Sequence, residues 1–126
     1  MSGGILNFTP KEVFTLCSEG VILVDVREEY LHAFRQFFVP EIIYLPFSIL
    51  ISTEPLLPQT KHLICADAAG LHSKEAVQYL LVKGFTNVAN LAGGMVEWER
   101  VGLPVIKDSK NQLSGQCMCQ LKKRKN

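Results

Sequence analysis

Residues 62 to 83 read HLICADAAGLHSKEAVQYLLVK, which is a short apolar run, a loop of small residues and a segment with helical periodicity. The run His62-Leu63-Ile64-Cys65-Ala66 is typical of a buried strand. Four apolar positions recur at the period of an α-helix: Ala76, Val77, Leu80 and Leu81. Gly84 follows at a position where glycine commonly ends a helix. We therefore predict a strand, then a loop over residues 67 to 72, then a helix over residues 73 to 83.

Helices and strands are predicted to alternate on both sides of this unit. Thr9 precedes Pro10 and stands three residues before Glu12, which is the pattern of a capped helix start, and Gly20 can end that helix. The run from Val21 to Val26 is apolar nearly throughout, as in a strand buried on both faces. Weaker patterns predict helices over residues 28 to 37 and 95 to 101, and strands over residues 42 to 45 and 87 to 91.

This alternation predicts an α/β fold, with a central, mostly parallel sheet and helices on both faces. Ligands of such sheets bind beyond the carboxyl ends of the strands. The segment from Cys65 to Ser73 runs from a strand end to a helix start, so it is the first candidate for a functional site.

The loop between that strand and helix has the character of an anion-binding site. Its small residues allow several backbone N–H groups to point inward, and the helix dipole adds about half a positive charge at the same place. Such a loop suits a phosphate, a sulfate or a cysteine thiolate at its first position. Many α/β proteins also use a turn of this kind only to connect a strand to a helix.

Length and composition indicate one domain. A chain of 126 residues with 48% hydrophobic residues can bury a core without disulfides or metals. No apolar run approaches the roughly 20 residues that a membrane-spanning helix needs, and the start Met1-Ser2-Gly3-Gly4 lacks the features of a signal peptide. We therefore expect a cytoplasmic protein with no membrane span, no cofactor and no metal site.

Charge divides the chain into two parts. Residues 1 to 106 carry 7 basic and 11 acidic side chains, whereas residues 107 to 126 carry 6 basic and 1 acidic. We therefore predict a domain over residues 1 to 106 and a basic, flexible tail over residues 107 to 126. The run from Lys122 to Lys125 adds at most weak, salt-sensitive attraction to nucleic acid or an anionic membrane, so nucleic acid is not the expected partner.

Four segments, read in order, resemble the rhodanese family. They are Leu23-Val24-Asp25-Val26-Arg27-Glu28-Glu29-Tyr30, Ile43-Tyr44-Leu45-Pro46, Gly70-Leu71-His72-Ser73, and Leu91-Ala92-Gly93-Gly94-Met95-Val96-Glu97-Trp98 with the following Gly102-Leu103-Pro104-Val105. They are similar to that family's D-x-R strand, its second strand and proline, the end of its active loop, and its closing L-x-G-G-x-x-x-W and G-L-P-V motifs. The resemblance implies a rhodanese-like fold over about residues 5 to 105, with a central, mostly parallel sheet of about five strands and helices on both faces.

The resemblance also implies a function, which this sequence contradicts at two positions. Rhodaneses are sulfurtransferases whose loop cysteine accepts sulfur from a donor such as thiosulfate. Their loop pattern, Cys-x-x-Gly-x-Arg-Ser, puts that cysteine at Asp67 and the arginine at His72. A carboxylate cannot form a persulfide, and a histidine is mostly neutral at pH 7 and is a weaker partner for an anion.

We therefore predict a rhodanese-like domain that lacks sulfurtransferase activity and acts as a binding or regulatory module. Its partner would be a protein or a small anionic ligand. Asp67 should fill the site by accepting hydrogen bonds from the loop N–H groups. The predicted ligand-binding loop is Asp67, Ala68, Ala69, Gly70, Leu71, His72 and Ser73, and the supporting residues are Asp25 and Arg27.

The alternative is a sulfurtransferase or sulfur carrier that uses another thiol. Cys65 lies two residues before the loop, although burial in a strand would make it a poor nucleophile. Cys117 and Cys119 lie in the basic tail and are expected to be more exposed, but two thiols alone do not complete a zinc site. Cys17 lies in an apolar segment and is predicted to pack in the core.

Overall fold

A computed structural model of the chain describes residues 5–53 and 56–107. Within these residues, strands and helices follow one another along the chain. The strands are β1 (Asn7–Phe8), β2 (Ile22–Asp25), β3 (Arg35–Phe37), β4 (Ile42–Tyr44), β5 (Leu63–Ala66), β6 (Val88–Leu91) and β7 (Val105–Lys107). The helices are α1 (Pro10–Ser18), α2 (Glu29–Phe34), α3 (Phe47–Ser52), α4 (Leu71–Val82) and α5 (Gly94–Arg100).

Five of these strands form one parallel sheet in the order β1-β6-β5-β2-β4. β2 lies between β4 and β5, and Asp25 at its carboxyl end is level with Tyr44 on one side and Ala66 on the other. The carboxyl ends of the central strands therefore meet at one edge of the sheet. This arrangement confirms the predicted fold class.

The sheet has a hydrophobic core on each face because alternate strand residues point to opposite sides. Val24 and Cys65 pack with α3 and α4 on one face, in a cluster that includes Leu50 and Leu80. Leu23 on β2 and Ile64 on β5 point to the opposite face. They pack there with α1 and α5 in a cluster that includes Val13 and Trp98. Helices thus cover both faces, as predicted.

The predicted start of the first helix is confirmed at α1. The Thr9 hydroxyl accepts a hydrogen bond from the Glu12 N–H at 3.2 Å, and the Glu12 carboxylate accepts one from the Thr9 N–H at 2.8 Å. This is the predicted capping box, with Pro10 as the first helical residue. α4 begins at Leu71 rather than at the predicted Ser73, so the helix starts inside the loop motif.

The helix predicted over residues 28 to 37 is wrong in its last three residues. α2 ends at Phe34, and the next three residues form β3, which pairs antiparallel with β7. The apolar residues of this stretch fit a helical period, but pairing with Val105–Lys107 satisfies the backbone of residues 35 to 37 in an extended form. Burial of Phe37 against Trp98 in a perpendicular ring contact fixes this outcome.

Other elements were not predicted. β1 has two residues, and α3 is a six-residue helix whose apolar sequence FSILIS has no clear period. Most of the predicted basic tail, residues 108 to 126, lies outside the described residues. Within the described part of the chain, none of the helices has the length and apolar character that crossing a membrane requires.

Candidate functional site

The loop between β5 and α4 surrounds the side chain of Asp67. Asp67 follows β5 directly and is only 5% exposed. One carboxylate oxygen, Oδ1, accepts a short hydrogen bond from the Gly70 N–H. The other oxygen, Oδ2, accepts from the N–H of His72 at 2.7 Å and of Ser73 at 3.3 Å. We call these three N–H groups the loop amides.

Helix geometry explains why the loop amides converge on Asp67. The first N–H groups of a helix have no partner within the helix, and the helix dipole favours a negative charge beside them. Gly70, the residue before α4, has a φ of 97°, a backbone conformation that glycine adopts without strain. This turn directs the amides of α4 toward Asp67, so the carboxylate occupies the place where they converge.

A chain of polar groups extends from the buried side of the loop to the edge of the sheet. The Ser73 hydroxyl lies 3.4 Å from Asp67 Oδ1 and makes a short hydrogen bond to the side-chain oxygen of Asn90. Asn90, on β6, donates in turn to the Asn7 side-chain oxygen at 2.8 Å. The single hydroxyl proton of Ser73 can serve one acceptor at a time, and the shorter contact assigns it to Asn90. Ser73 therefore ties α4 to β6 more strongly than it binds Asp67.

The backbone carbonyls of the loop are held by the start of α5. The Met95 N–H donates to the Asp67 carbonyl at 2.8 Å, and the Val96 N–H donates to the Ala68 carbonyl at 3.0 Å. A side chain at Gly94, which has a φ of 61°, would overlap these carbonyls. The Gly-Gly motif thus allows α5 to approach the loop closely.

Asp25 and Arg27 form a second buried cluster at the end of β2. The Arg27 guanidinium donates to both carboxylate oxygens of Asp25, at 3.0 Å from Nε and 2.8 Å from Nη2. Nη2 also donates to the Arg35 carbonyl at 2.6 Å, and the guanidinium lies over the Phe37 ring, 5.2 Å from its centre. These contacts connect β2 to β3, and the supporting role of the pair at the site stays a prediction.

The charge state of Asp25 depends on its neighbours. Burial alone would raise the pKa of its carboxyl, but hydrogen bonds from His32 and Arg27, together with the charge of Arg27, hold that pKa below its ordinary value. His32 Nδ1 lies 3.2 Å from Asp25 Oδ2, and the His32 ring stacks on Tyr44 with 3.9 Å between centres. Burial raises the pKa of the Tyr44 phenol, and the charges of Glu29, Asp25 and Glu28 raise it further.

The outer side of the loop is exposed and mainly apolar. Leu71 is 72% exposed, Ala69 and His72 are exposed, and Ala68 is half-buried. The His72 ring stacks on Phe47 of α3, with 5.3 Å between ring centres. The loop therefore has a buried polar inner side around Asp67 and an open side formed by a histidine and small or apolar groups.

The two described cysteines are buried away from solvent. Burial raises the pKa of the Cys65 thiol to about 12, with a further contribution from the charge of Asp67, and burial raises that of Cys17 to about 11. Both are therefore protonated at neutral pH and pack in the core, as predicted. Cys117 and Cys119 lie outside the described residues. Across residues 5–53 and 56–107, no group of three or more His, Cys, Asp or Glu side chains is close enough to hold a metal ion.

The structure brings the predicted site residues together in two groups, one around Asp67 and one around Asp25. The ligand-binding role of residues 67 to 73 remains a prediction. Sequence reasoning missed the structural part played by Asn90, although an asparagine inside the apolar strand of β6 was a signal for it. It also missed His32, because nothing in the sequence places that side chain beside Asp25.

Comparisons with known proteins agree with this architecture. The Rhodanese-like domain family model matches residues 9–101. A sulfurtransferase from Allochromatium vinosum is 32% identical over 89 residues, which cover 71% of this chain and 81% of the relative. The thiosulfate sulfurtransferase GlpE from Haemophilus influenzae is 28% identical over 104 residues, covering 79% of this chain and 92% of the relative.

Solved structures give the same result for the fold. A rhodanese-related protein from Thermoplasma volcanium superposes with a TM-score of 0.71 at 25% identity, covering 80% of this chain and 97% of that protein. The family model covers most of the chain, and the two relatives named as sulfurtransferases match this chain over 81% and 92% of their own lengths. The chain therefore belongs to the rhodanese-like domain family.

Proposed function

We propose that this chain is a rhodanese-like domain without sulfurtransferase activity, in which Asp67 stands where the active relatives have a cysteine, and that it acts as a binding or regulatory module. The observation that carries the proposal is the carboxylate of Asp67, whose oxygens accept hydrogen bonds from all three loop amides. The loop thus holds an anion that belongs to the chain itself.

A carboxylate at this position cannot carry sulfur, because it has no sulfur atom to form a persulfide. Among the described residues, the thiol nearest to the loop in sequence is Cys65. Its burial and its pKa of about 12 leave it without a thiolate near neutral pH, so it does not suit the role of a nucleophile. These observations disfavour the alternative of sulfur transfer through Cys65, and the alternative through Cys117 or Cys119 is addressed below by substitution.

The exposed side of the loop supports a protein partner over a small anionic ligand. An anion would have to displace Asp67 from the loop amides, whereas a protein surface can contact Leu71 and His72 without disturbing them. Exposed apolar side chains beside polar groups are typical of protein interaction sites. We infer that the module binds a protein through Leu71, His72 and the adjoining ring of Phe47.

The first experiment measures sulfur transfer from thiosulfate to cyanide as the formation of thiocyanate. The intact chain should form thiocyanate no faster than buffer alone, and Asp67→Ala and the pair Cys117→Ser with Cys119→Ser should behave the same way. Activity of the intact chain above that of buffer contradicts the loss of function. If the serine pair removed such activity, the tail thiols would be its source.

The second experiment tests the assignment of position 67 by adding a thiol. Asp67→Cys should place a thiolate beside the loop amides and lower the pKa of the thiol below the free value of about 8.5. Alkylation of this variant at pH 7, measured by mass spectrometry with the tail cysteines changed to serine, should be faster than that of a free thiol. Adding His72→Arg should increase the rate further. A slow-reacting cysteine at position 67 would contradict the proposed alignment of the loop.

The third experiment tests the binding role. Leu71→Asp adds a charge to the exposed side of the loop, and Val82→Asp makes the same kind of change at the other end of α4, where the side chain is 84% exposed. Proteins recovered with the intact chain should be lost with Leu71→Asp and kept with Val82→Asp. Equal recovery with both variants would exclude the loop as the binding surface.

A further inference from the structure

α2 carries an exposed surface of aromatic and acidic side chains. Tyr30 is 73% exposed and Phe34 is 57% exposed, while Glu28, just before the helix, and Glu29, its first residue, are exposed as well. We call these four residues the α2 surface. None of the six residues of α2 is buried. Short helices depend on packing for their stability, so a helix of this kind is expected to gain from a partner that covers it.

The α2 surface has an excess of negative charge. Three arginines of the domain are already paired with carboxylates: Arg27 with Asp25, Arg35 with Glu99 and Arg100 with Glu97. Over the described ranges, no ion pair neutralises Glu28 or Glu29, and the Glu28 carboxylate accepts only a hydrogen bond, from the Ser48 hydroxyl at 3.3 Å. The α2 surface therefore suits a partner that is both basic and apolar.

The direction of β7 brings the chain toward this surface. β7 is antiparallel to β3, and its last residue, Lys107, pairs with Arg35, the residue that directly follows α2. The chain after Lys107 therefore begins its course at the end of α2. α2 is about 9 Å long at 1.5 Å per residue. Three or four extended residues are enough to cover that distance, at about 3.3 Å each.

The sequence that follows has the complementary composition. Residues 108 to 126 contain four consecutive basic residues, Lys122 to Lys125, and also Lys110. The apolar residues Leu113, Met118 and Leu121 are spaced through the same segment. Nineteen residues can extend about 60 Å, so the basic run can reach every part of the α2 surface.

We propose that residues 108 to 126 dock on the α2 surface of the same chain, with the basic run against Glu28 and Glu29 and the apolar residues against Tyr30 and Phe34. Glu28 contacts α3 through Ser48, and α3 contacts the loop through the Phe47–His72 ring pair. The α2 surface is therefore connected to the exposed side of the loop through α3. This inference is independent of the proposed loss of sulfur transfer, which is tested by different variants.

The test measures the distance between the segment and α2 by paramagnetic broadening. Cys17 and Cys65 are buried with raised pKa values, so in a Cys117→Ser chain a thiol-reactive spin label attaches to Cys119. The backbone amide signals of Tyr30 and Phe34 should lose intensity when the label is oxidised. This loss should diminish as salt rises from about 0.01 M to about 1 M, because the screening length falls from about 30 Å to about 3 Å.

Matched charge variants identify the docking surface. Glu28→Lys with Glu29→Lys should remove the broadening. Glu19→Lys with Glu41→Lys makes the same change in charge at the amino edge of the sheet, where Glu19 follows α1 and Glu41 precedes β4, and should leave the broadening intact. The dispersion of the amide spectrum checks that each variant is folded.

Exchanging the charges of the two partners tests whether loss of broadening reflects lost attraction rather than a disturbed fold. Changing Lys122, Lys123, Arg124 and Lys125 to glutamate should also remove the broadening, and combining this change with the Glu28→Lys and Glu29→Lys pair should restore it. Failure of the exchange to restore broadening would overturn the proposal, and so would broadening that resists salt. Broadening seen only between differently labelled molecules would assign the segment to a second copy and would overturn it as well.

Discussion

Asp25 and Asp67 are both buried and lie at the ends of neighbouring parallel strands, but they are stabilised by different partners. Asp25 binds a cation, since Arg27 donates to both of its oxygens. Asp67 binds neutral groups, the loop amides. At Asp25 two opposite charges stabilise each other, whereas at Asp67 the dipoles of backbone N–H groups stabilise a single negative charge.

The two aspartates therefore differ in what their removal leaves behind in the folded chain. Removing Asp25 leaves Arg27 as a buried charge without a counterion, which no solvent molecule easily compensates. Removing Asp67 leaves N–H groups that an anion can satisfy. We therefore expect the fold to tolerate substitution at position 67 better than substitution at position 25.

The largest effect is expected for Asp25→Asn. This change leaves the Arg27 guanidinium without its carboxylate and should lower the free energy of unfolding by about 3 to 5 kcal/mol. Urea denaturation followed by circular dichroism measures it. Adding Arg27→Met removes the uncompensated charge and should restore part of the stability. A loss below about 1 kcal/mol for Asp25→Asn would contradict the dependence of this cluster on paired charges.

A smaller effect is expected for Asp67→Ala, because the loop amides lose their acceptor. The free energy of unfolding should fall by about 1 to 3 kcal/mol. Sulfate should bind the vacated amides and raise the melting temperature of this variant more than that of the intact chain. Asp25→Asn should show no such additional gain. Equal responses to sulfate in all three proteins would exclude anion binding by the loop amides.

The pH dependence of stability provides a third test of the Asp25 cluster. Because the pKa of Asp25 is lowered in the folded state, its contribution to stability is present above the ordinary carboxyl pKa of about 3.9 and is lost as the pH falls through the folded value. Urea denaturation between about pH 5 and about pH 2 should therefore show a steeper fall in stability for the intact chain than for Asp25→Asn. Identical slopes would contradict the lowered pKa.

The smallest effect is expected for Ser73→Ala. It removes the hydrogen bond to Asn90 but leaves all three loop amides on Asp67, so the loss should be about 1 kcal/mol. Ser48→Ala, at an exposed position on α3, serves as the control and should change stability by less than about 0.5 kcal/mol. Denaturation midpoints of the two variants test this ranking, and a larger loss for Ser48→Ala would reverse it.

Much of the fold was predictable because local and global signals agree in the β5–loop–α4 unit. The strand is an uninterrupted apolar run, the helix has a regular period, and Gly70 stands where the turn needs a positive φ. The resemblance of the four ordered segments added the sheet architecture. The convergence of the loop amides on Asp67 followed from the position of an acidic residue just before a helix start.

The region around α2 was less predictable because its structure depends on distant residues. β3 exists because residues 105 to 107 pair with it, and a contact over such a separation leaves no periodic pattern in the sequence. Propensity yields to tertiary pairing in such cases. Asn90 and His32 were missed for a related reason, since their partners Ser73 and Asp25 are assembled only by the folded chain.

The close approach of α5 to the loop at Gly94 makes the backbone of the loop tolerant of substitution at position 67. The carbonyls of Asp67 and Ala68 are anchored by the N–H groups of Met95 and Val96, so the path of the main chain does not depend on which side chain residue 67 carries. Mutation can therefore change the side chain at this position without a large rearrangement of the backbone. Selection is then free to alter the polar interior of the loop and its outer surface separately.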